Sequence, residues 1–180
     1  HGILDSFLVK RDNNALPLLF DRLILNLSEK IVCCSDWTRK FYQKYVNDSK
    51  LLTIYNWTDD NNNINNNNLI DDTFNIFSCL NTFDHHKGVS VLIEAAKILK
   101  EKELDFKIHL YGSGNEQQYL IKLTEKYGLK DVVIFKERTT DVTGVYRNSL
   151  ALLQPSFIEP FGMTIIEAMS NKRPVISNKS

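Results

Sequence analysis

Two glutamates eight positions apart, Glu159 and Glu167, flank a glycine in the otherwise apolar stretch SFIEPFGMTIIEAMSNKRPVI. Glu159 falls in a loop after the strand-like run ALLQPS, and Glu167 falls inside a helix that begins near Phe161 or Gly162. That helix carries Met163, Ile165, Ile166 and Met169, so it reads as apolar on nearly all sides and buried. A buried carboxylate needs a partner, because an isolated charge there costs several kcal/mol or is neutralised. For Glu167 the partner is either an internal arginine, such as Arg173, or a ligand hydroxyl. The backbone amides of Phe161, Gly162, Met163 and Thr164 open the helix with no acceptor inside it and form an anion site. Carboxylate, exposed amides and carboxylate together suit a ligand bearing both phosphate and hydroxyls, and a nucleotide sugar fits that description.

Other residues of the same kind stand at strand ends. Lys87 and Gly88, in NTFDHHKGVSVLIEAA, occupy a strand-to-helix connection where a lysine either reaches an anion over the sheet edge or is simply solvated. Gly112 and Gly114 follow KIHLY and precede a helix; such a turn lets backbone approach a phosphate or ribose, but a tight turn needs glycine without a ligand too. The neighbouring His85 and His86 lack a helical i, i+4 partner or a carboxylate cluster, so they do not read as a metal site.

The elements that must position these residues alternate. ALPLLFDRLILNLSEK reads as a helix, IVCCS as a strand, DWTRKFYQKYV as a helix with Ser35 or Asp36 as its N-cap, and KLLTIYNW as a strand. The polar, low-complexity run TDDNNNINNNNLIDDT cannot bury enough surface to offset its chain entropy, and residues 58–73 read as an Asn-rich linker. Beyond it the order is strand FNIFSCL, helix GVSVLIEAAKILKEK, strand FKIHLYG, helix NEQQYLIKLTEKYG, strand VVIFKE, helix TGVYRNS, strand ALLQPS, helix MTIIEAMSN and strand PVISN. Such alternation predicts an α/β fold, a mostly parallel sheet with helices on both faces. Ligands of such sheets bind beyond the carboxyl ends of the strands, where each residue named above falls. The expected divisions are residues 1–57, 58–73 and 74–180. A start at His1 and a stop at Ser180 directly after an apolar run suggest a piece of a longer protein.

Composition narrows the function classes. With 43% hydrophobic residues in 180, the chain can bury a substantial core. Its 22 basic and 22 acidic residues cancel, so no overall field draws it to nucleic acid or an anionic membrane, and an anionic ligand must be held by a local site. Cys33, Cys34 and Cys79 are an odd set without metal or redox spacing, which points to a reducing compartment. No run approaches the roughly 20 apolar residues of a membrane span, and HGILDSFLVK lacks the order of a signal peptide. A cytoplasmic location is expected. Asn56-Trp57-Thr58 has the form of a glycosylation acceptor, but chance explains it in so asparagine-rich a chain.

PSFIEPFGMTIIEAMSNKRPVI closely resembles the E-x7-E stretch of the retaining glycosyltransferases of family 4 (group 1), KGVSVLIEAA resembles their lysine-glycine helix, and LYGSG their second glycine turn. Order and spacing agree across residues 74–178, and residues 24–57 look like the last part of that family's N-terminal domain. The resemblance implies a GT-B fold, with residues 74–180 as the donor-binding domain and residues 1–57 as part of a Rossmann-like acceptor-side domain. It implies that Glu167 binds the donor ribose hydroxyls, that Glu159 lies against the donor sugar near the reacting carbon, and that Lys87 neutralises the diphosphate. The amides of Phe161, Gly162, Met163 and Thr164 hold that diphosphate in this reading, Gly112 and Gly114 belong to the donor site, and the base lies near Phe135 to Arg138. His1 stands about where the family has an acceptor-side histidine. The implied partners are a nucleotide-sugar donor and a glycan or lipid-linked acceptor, with peripheral membrane contact through an N-terminal part; neither metal nor other cofactor is implied.

Two positions depart from the family pattern. Asn81 and Thr82 stand six and five residues before Lys87, where the family has glycine and arginine, so one diphosphate cation is missing. Glu137 occupies a position that is usually glycine. The first departure motivates a second reading, a catalytically degenerate module that keeps the fold and binds nucleotide sugar or serves structurally. A non-hydrolysing sugar epimerase shares the fold, but the E-x7-E stretch gives it no support.

Overall fold

The computed structural model describes residues 22–58 and 76–178. The chain folds into two compact units that divide between Asn56 and Trp57. In the first, strand β1 (Ile31–Cys33) leads through helix α1 (Asp36–Tyr42) to strand β2 (Leu51–Thr53), which lies parallel to β1 in the register Ile31 to Leu51. Ser35 starts α1, its hydroxyl accepting the Thr38 amide at 3.1 Å, a satisfied helix-start donor. Leu25, Cys33, Tyr42 and Leu51 form the small core of this unit. Its elements are shorter than expected: α1 stops at Tyr42, because the Tyr42 carbonyl accepts the amides of both Tyr45 and Val46 and Asn47 opens a 3-10 turn over Asp48–Lys50. Most of the Asn-rich run lies outside the described residues.

The second unit carries the site. Strands β3 (Ile76–Leu80), β4 (Lys107–Tyr111), β5 (Val133–Lys136), β6 (Ala151–Gln154) and β7 (Val175–Ser177) form one parallel sheet in the spatial order β5-β4-β3-β6-β7. Helices α2 (Val89–Glu101), α3 (Gln117–Lys126), α4 (Val142–Arg147) and α5 (Met163–Ser170) alternate with them. Side chains on successive strand positions point to opposite faces, which splits the core in two. Cys79, Ile108, Leu110, Val133 and Leu153 meet Ile93, Ala96, Leu120 and Leu123 of α2 and α3 on one face. Leu80 and Leu152 meet Val145, Tyr146 and Ala168 of α4 and α5 on the other. The α/β fold with helices on both faces is therefore as expected.

The burial expected of α5 is not observed. Only Ala168 is fully buried, Met163 and Met169 are 37% and 62% exposed, and Glu167 is half-buried. The helix covers the sheet with one side and leaves the rest of its apolar surface open. Glu167 is thus not the deeply buried charge that an all-round apolar helix would have produced.

In this strand order the chain moves outward from β3 to β4 and β5, then returns to place β6 on the other side of β3. The connections leaving β3 and β6 diverge to opposite faces and open a crevice at their carboxyl ends. Lys87 follows β3 and Glu159 follows β6.

Candidate active site at the carboxyl ends of the central strands

Close backbone packing draws these loops together. Gly88 has φ +63°, and a Cβ on it would run into the Pro155 carbonyl oxygen. One turn away the Phe157 amide donates to the His86 carbonyl at 2.9 Å. The loop after β4 packs on the same connection, since Cβ atoms at Gly112 and Gly114 would meet the Asn81 oxygen and the Phe83 backbone. Of the two sequence readings of these glycines, the chain's own packing accounts for both residues.

The contacts that result centre on one carboxylate oxygen. Glu159 Oε2 accepts from Lys87 Nζ at 2.9 Å, from Gln154 Nε2 at 2.8 Å and from Ser156 Oγ at 3.2 Å. The Lys87 and Glu159 side chains are only 18% and 14% exposed, so their attraction is screened less than that of a surface pair. Gln154, buried at the end of β6, accepts from Asn81 Nδ2 at 3.2 Å, and Asn81 Oδ1 takes the Thr82 amide at 3.0 Å. Lys87 also acts through space on Cys79, whose thiol burial pushes up to about 12 while the lysine charge pulls it down.

Glu167 is held separately. Tyr146 donates its hydroxyl to Glu167 Oε2 at 2.9 Å and lies 3.3 Å from the Thr164 carbonyl. Burial, and then the Glu167 charge and hydrogen bond, raise the Tyr146 phenol above its ordinary range. The internal arginine considered for Glu167 is engaged elsewhere: Arg173 Nη2 donates to the Arg147 carbonyl at 3.0 Å. A tyrosine hydroxyl, which carries no charge, takes that place.

Gly162 opens α5 at φ +89°, a left-handed conformation in which glycine avoids a steric cost. Its carbonyl accepts the Ile165 amide at 3.0 Å. The Met163 and Thr164 amides occupy the first helical positions, which have no acceptor within the helix, at its partly positive end. Thr164 Oγ1 is buried with no partner among the described residues. The site thus joins a half-buried ammonium, a helix start and two carboxylates from different loops. Such a set can receive a dianion and hydroxyl groups together.

The other sequence candidates stand at the end of β5 and after β3. Phe135 packs edge-on against Phe83 at 6.0 Å between centroids, while Glu137 and Arg138 are exposed beyond β5. His85 lies beside the Phe157 ring. Among the described residues no three His, Cys, Asp or Glu side chains gather as metal ligands, and no helix is long and apolar enough to cross a membrane. His1 lies outside the described residues. Sequence reasoning missed Tyr146, Gln154 and Ser156 as members of the site. For Gln154 the signal was there: a lone polar residue ending a strand whose every residue is buried.

Residues 60–180 match the family model described as Glycosyl transferases group 1. An uncharacterized glycosyltransferase of Haemophilus influenzae is 26% identical over 166 residues, 92% of this chain and 46% of that protein. A second, from Methanocaldococcus jannaschii, is 28% identical over 180 residues, 99% of this chain and 47% of that protein. The poly(ribitol-phosphate) alpha-N-acetylglucosaminyltransferase of Staphylococcus aureus is 32% identical over 91 residues, 51% of this chain and 18% of that protein. The chain thus spans about half the length, or less, of these relatives. Among solved structures, Anabaena HepE in complex with UDP and glucose aligns with TM-score 0.80 and 21% identity, over 100% of this chain and 51% of that one. A S. aureus TarM mutant, solved with fondaparinux, alpha-GlcNAc-glycerol and UDP, aligns with TM-score 0.75 and 22% identity, over 89% of this chain and 32% of that one. Both likenesses are of fold.

Proposed function

From the premise that this chain belongs to the glycosyl transferases group 1 family, we propose that it forms the donor side of a retaining, family 4 glycosyltransferase. The enzyme moves a sugar from a UDP- or GDP-sugar to a glycan, lipid or other acceptor. The observation that carries this reading is the Lys87–Glu159 pair at the carboxyl ends of β3 and β6, beside the start of α5. The UDP in the HepE and TarM structures is consistent with a uridine nucleotide as donor carrier.

In this reading the sugar C1–O bond to the β-phosphate breaks and the acceptor oxygen bonds to C1 from the same face. The acceptor proton passes to a phosphate oxygen. Negative charge grows on the departing nucleoside diphosphate, where Lys87 and the amides of Phe161, Gly162, Met163 and Thr164 stabilise it electrostatically. These groups supply the positive charge without calling for a divalent metal. Glu159 faces the donor sugar, and Glu167, oriented by Tyr146, accepts from the ribose hydroxyls. Gly112 and Gly114 border the donor, the base lies toward Phe135 to Arg138, and His1 belongs to the acceptor side.

Thr82 in the position of an arginine removes one charge-assisted contact, which costs on the order of 1.5–3 kcal/mol of donor binding. That missing contact motivates a second reading, a module that binds nucleotide sugar without turnover. Calorimetry of the intact protein with UDP- and GDP-sugars, alongside a product assay, separates the two. Binding with transfer or slow donor hydrolysis is expected. Tight binding without either supports the module, and no binding by folded protein defeats both.

A further inference from the structure

The Asn81–Thr82 departure does more than remove a cation. The Thr82 backbone N–H can only donate, so the atom of Asn81 that it meets at 3.0 Å is the side-chain oxygen. That fixes Asn81 Nδ2 as the donor toward Gln154 Oε1 at 3.2 Å, with Ser156 Oγ at 3.4 Å. Gln154 must then present Nε2 to Glu159 Oε2 at 2.8 Å. Every amide orientation in the series follows from one main-chain donor. Both Gln154 and Ser156 are buried, 4% and 2% exposed, which limits the competition of bulk water for their bonds.

We propose that Gln154, oriented by Asn81, is a positioning residue for the transfer reaction: it anchors Glu159 by Oε2 and so aims the other carboxylate oxygen, Oε1, at the donor sugar. The inference rests on the donor-site reading above. Lys87 meets Glu159 at the same Oε2, so it can turn toward an incoming diphosphate while Gln154 and Ser156 keep the carboxylate in place. Asn81, which stands where the family has glycine, thereby supports the carboxylate that this reading places nearest the reacting carbon.

In the intact protein, with a sugar nucleotide that it turns over, Gln154→Leu is expected to lower kcat about 10- to 100-fold through misplacement of Glu159. UDP affinity, measured by calorimetry, stays near the wild-type value, which a general packing defect would not leave untouched. Asn81→Ala lowers kcat in the same way, and the double variant is no slower than Gln154→Leu alone, because both interrupt one series of bonds. Losses that multiply, or a folded Gln154→Leu protein at wild-type kcat, overturn the proposal. Should Gln154→Leu not fold, Asn81→Ala decides: a lower kcat at unchanged UDP affinity supports the series, and wild-type kcat overturns it. A second readout needs no turnover. The side-chain amide proton resonances of Gln154 are expected to move in both Asn81→Ala and Glu159→Ala, and resonances that stay fixed in either variant overturn the proposal. An intact protein that transfers no sugar defeats the donor-site reading, and this resonance test still judges the series.

Discussion

Cys79 lies fully buried in β3, with its thiol pushed up to about 12 from an ordinary 9.0 by burial, against the opposing pull of Lys87. Below pH 9 the folded and unfolded chains both keep this proton. Above it the unfolded chain releases the proton while the folded chain holds it, so the unfolded state binds fewer protons and stability falls as pH rises. Tyr146, raised by burial and by Glu167, acts with the same sign above its ordinary 10.0. The urea-unfolding free energy of the intact protein is therefore expected to decline from about pH 9 upward. Cys79→Ala should flatten part of that decline, and a variant with the wild-type slope would assign the effect to other groups. At this scale the sequence was an incomplete guide. Glu159, Glu167 and Lys87 stood out by charge and spacing, whereas Tyr146 and Gln154 matter because of where their elements come to lie. Nothing local distinguishes a tyrosine that will meet Glu167 twenty-one residues later from one that faces water.

Among the elements, the loops leaving β3 and β6 depend on each other. The Pro155 carbonyl, which occupies the space of a Gly88 Cβ, also accepts from Asn178 Nδ2 at 2.6 Å and cannot easily retreat. Gly88→Ala combines a left-handed φ with a collision against fixed backbone, and a loss of about 2–4 kcal/mol in unfolding free energy is expected from denaturant titration. A variant as stable as wild type would mean that the two loops are not packed this way. Runs such as KIHLY, VVIF and ALLQ were legible as strands because uninterrupted apolar residues suit a sheet covered on both faces. Helix ends were less legible. Helix α4 begins at Val142 because Asp141 Oδ1 accepts the Gly144 amide at 2.9 Å, a cap within an otherwise polar run. The burial of α5 was overestimated because apolar composition does not reveal how much sheet is available to cover it.

Across the whole second unit, alternation in the sequence implies a parallel sheet and leaves strand order open, since parallel neighbours need not be consecutive. The return of β6 to the side of β3 creates the crevice and brings Lys87 to Glu159 across a sequence separation of 72. Only the resemblance of the three glycine- and glutamate-bearing stretches to a known family anticipated that meeting. In the proposed reaction these two carboxylates and this lysine hold and discharge a sugar nucleotide. Steady-state turnover of the intact protein with UDP- and GDP-sugars, wild type against Glu159→Ala and Glu167→Ala, measures that role. Each variant is expected to lose about 100-fold or more in kcat/KM while remaining folded. Turnover unchanged in both would contradict it.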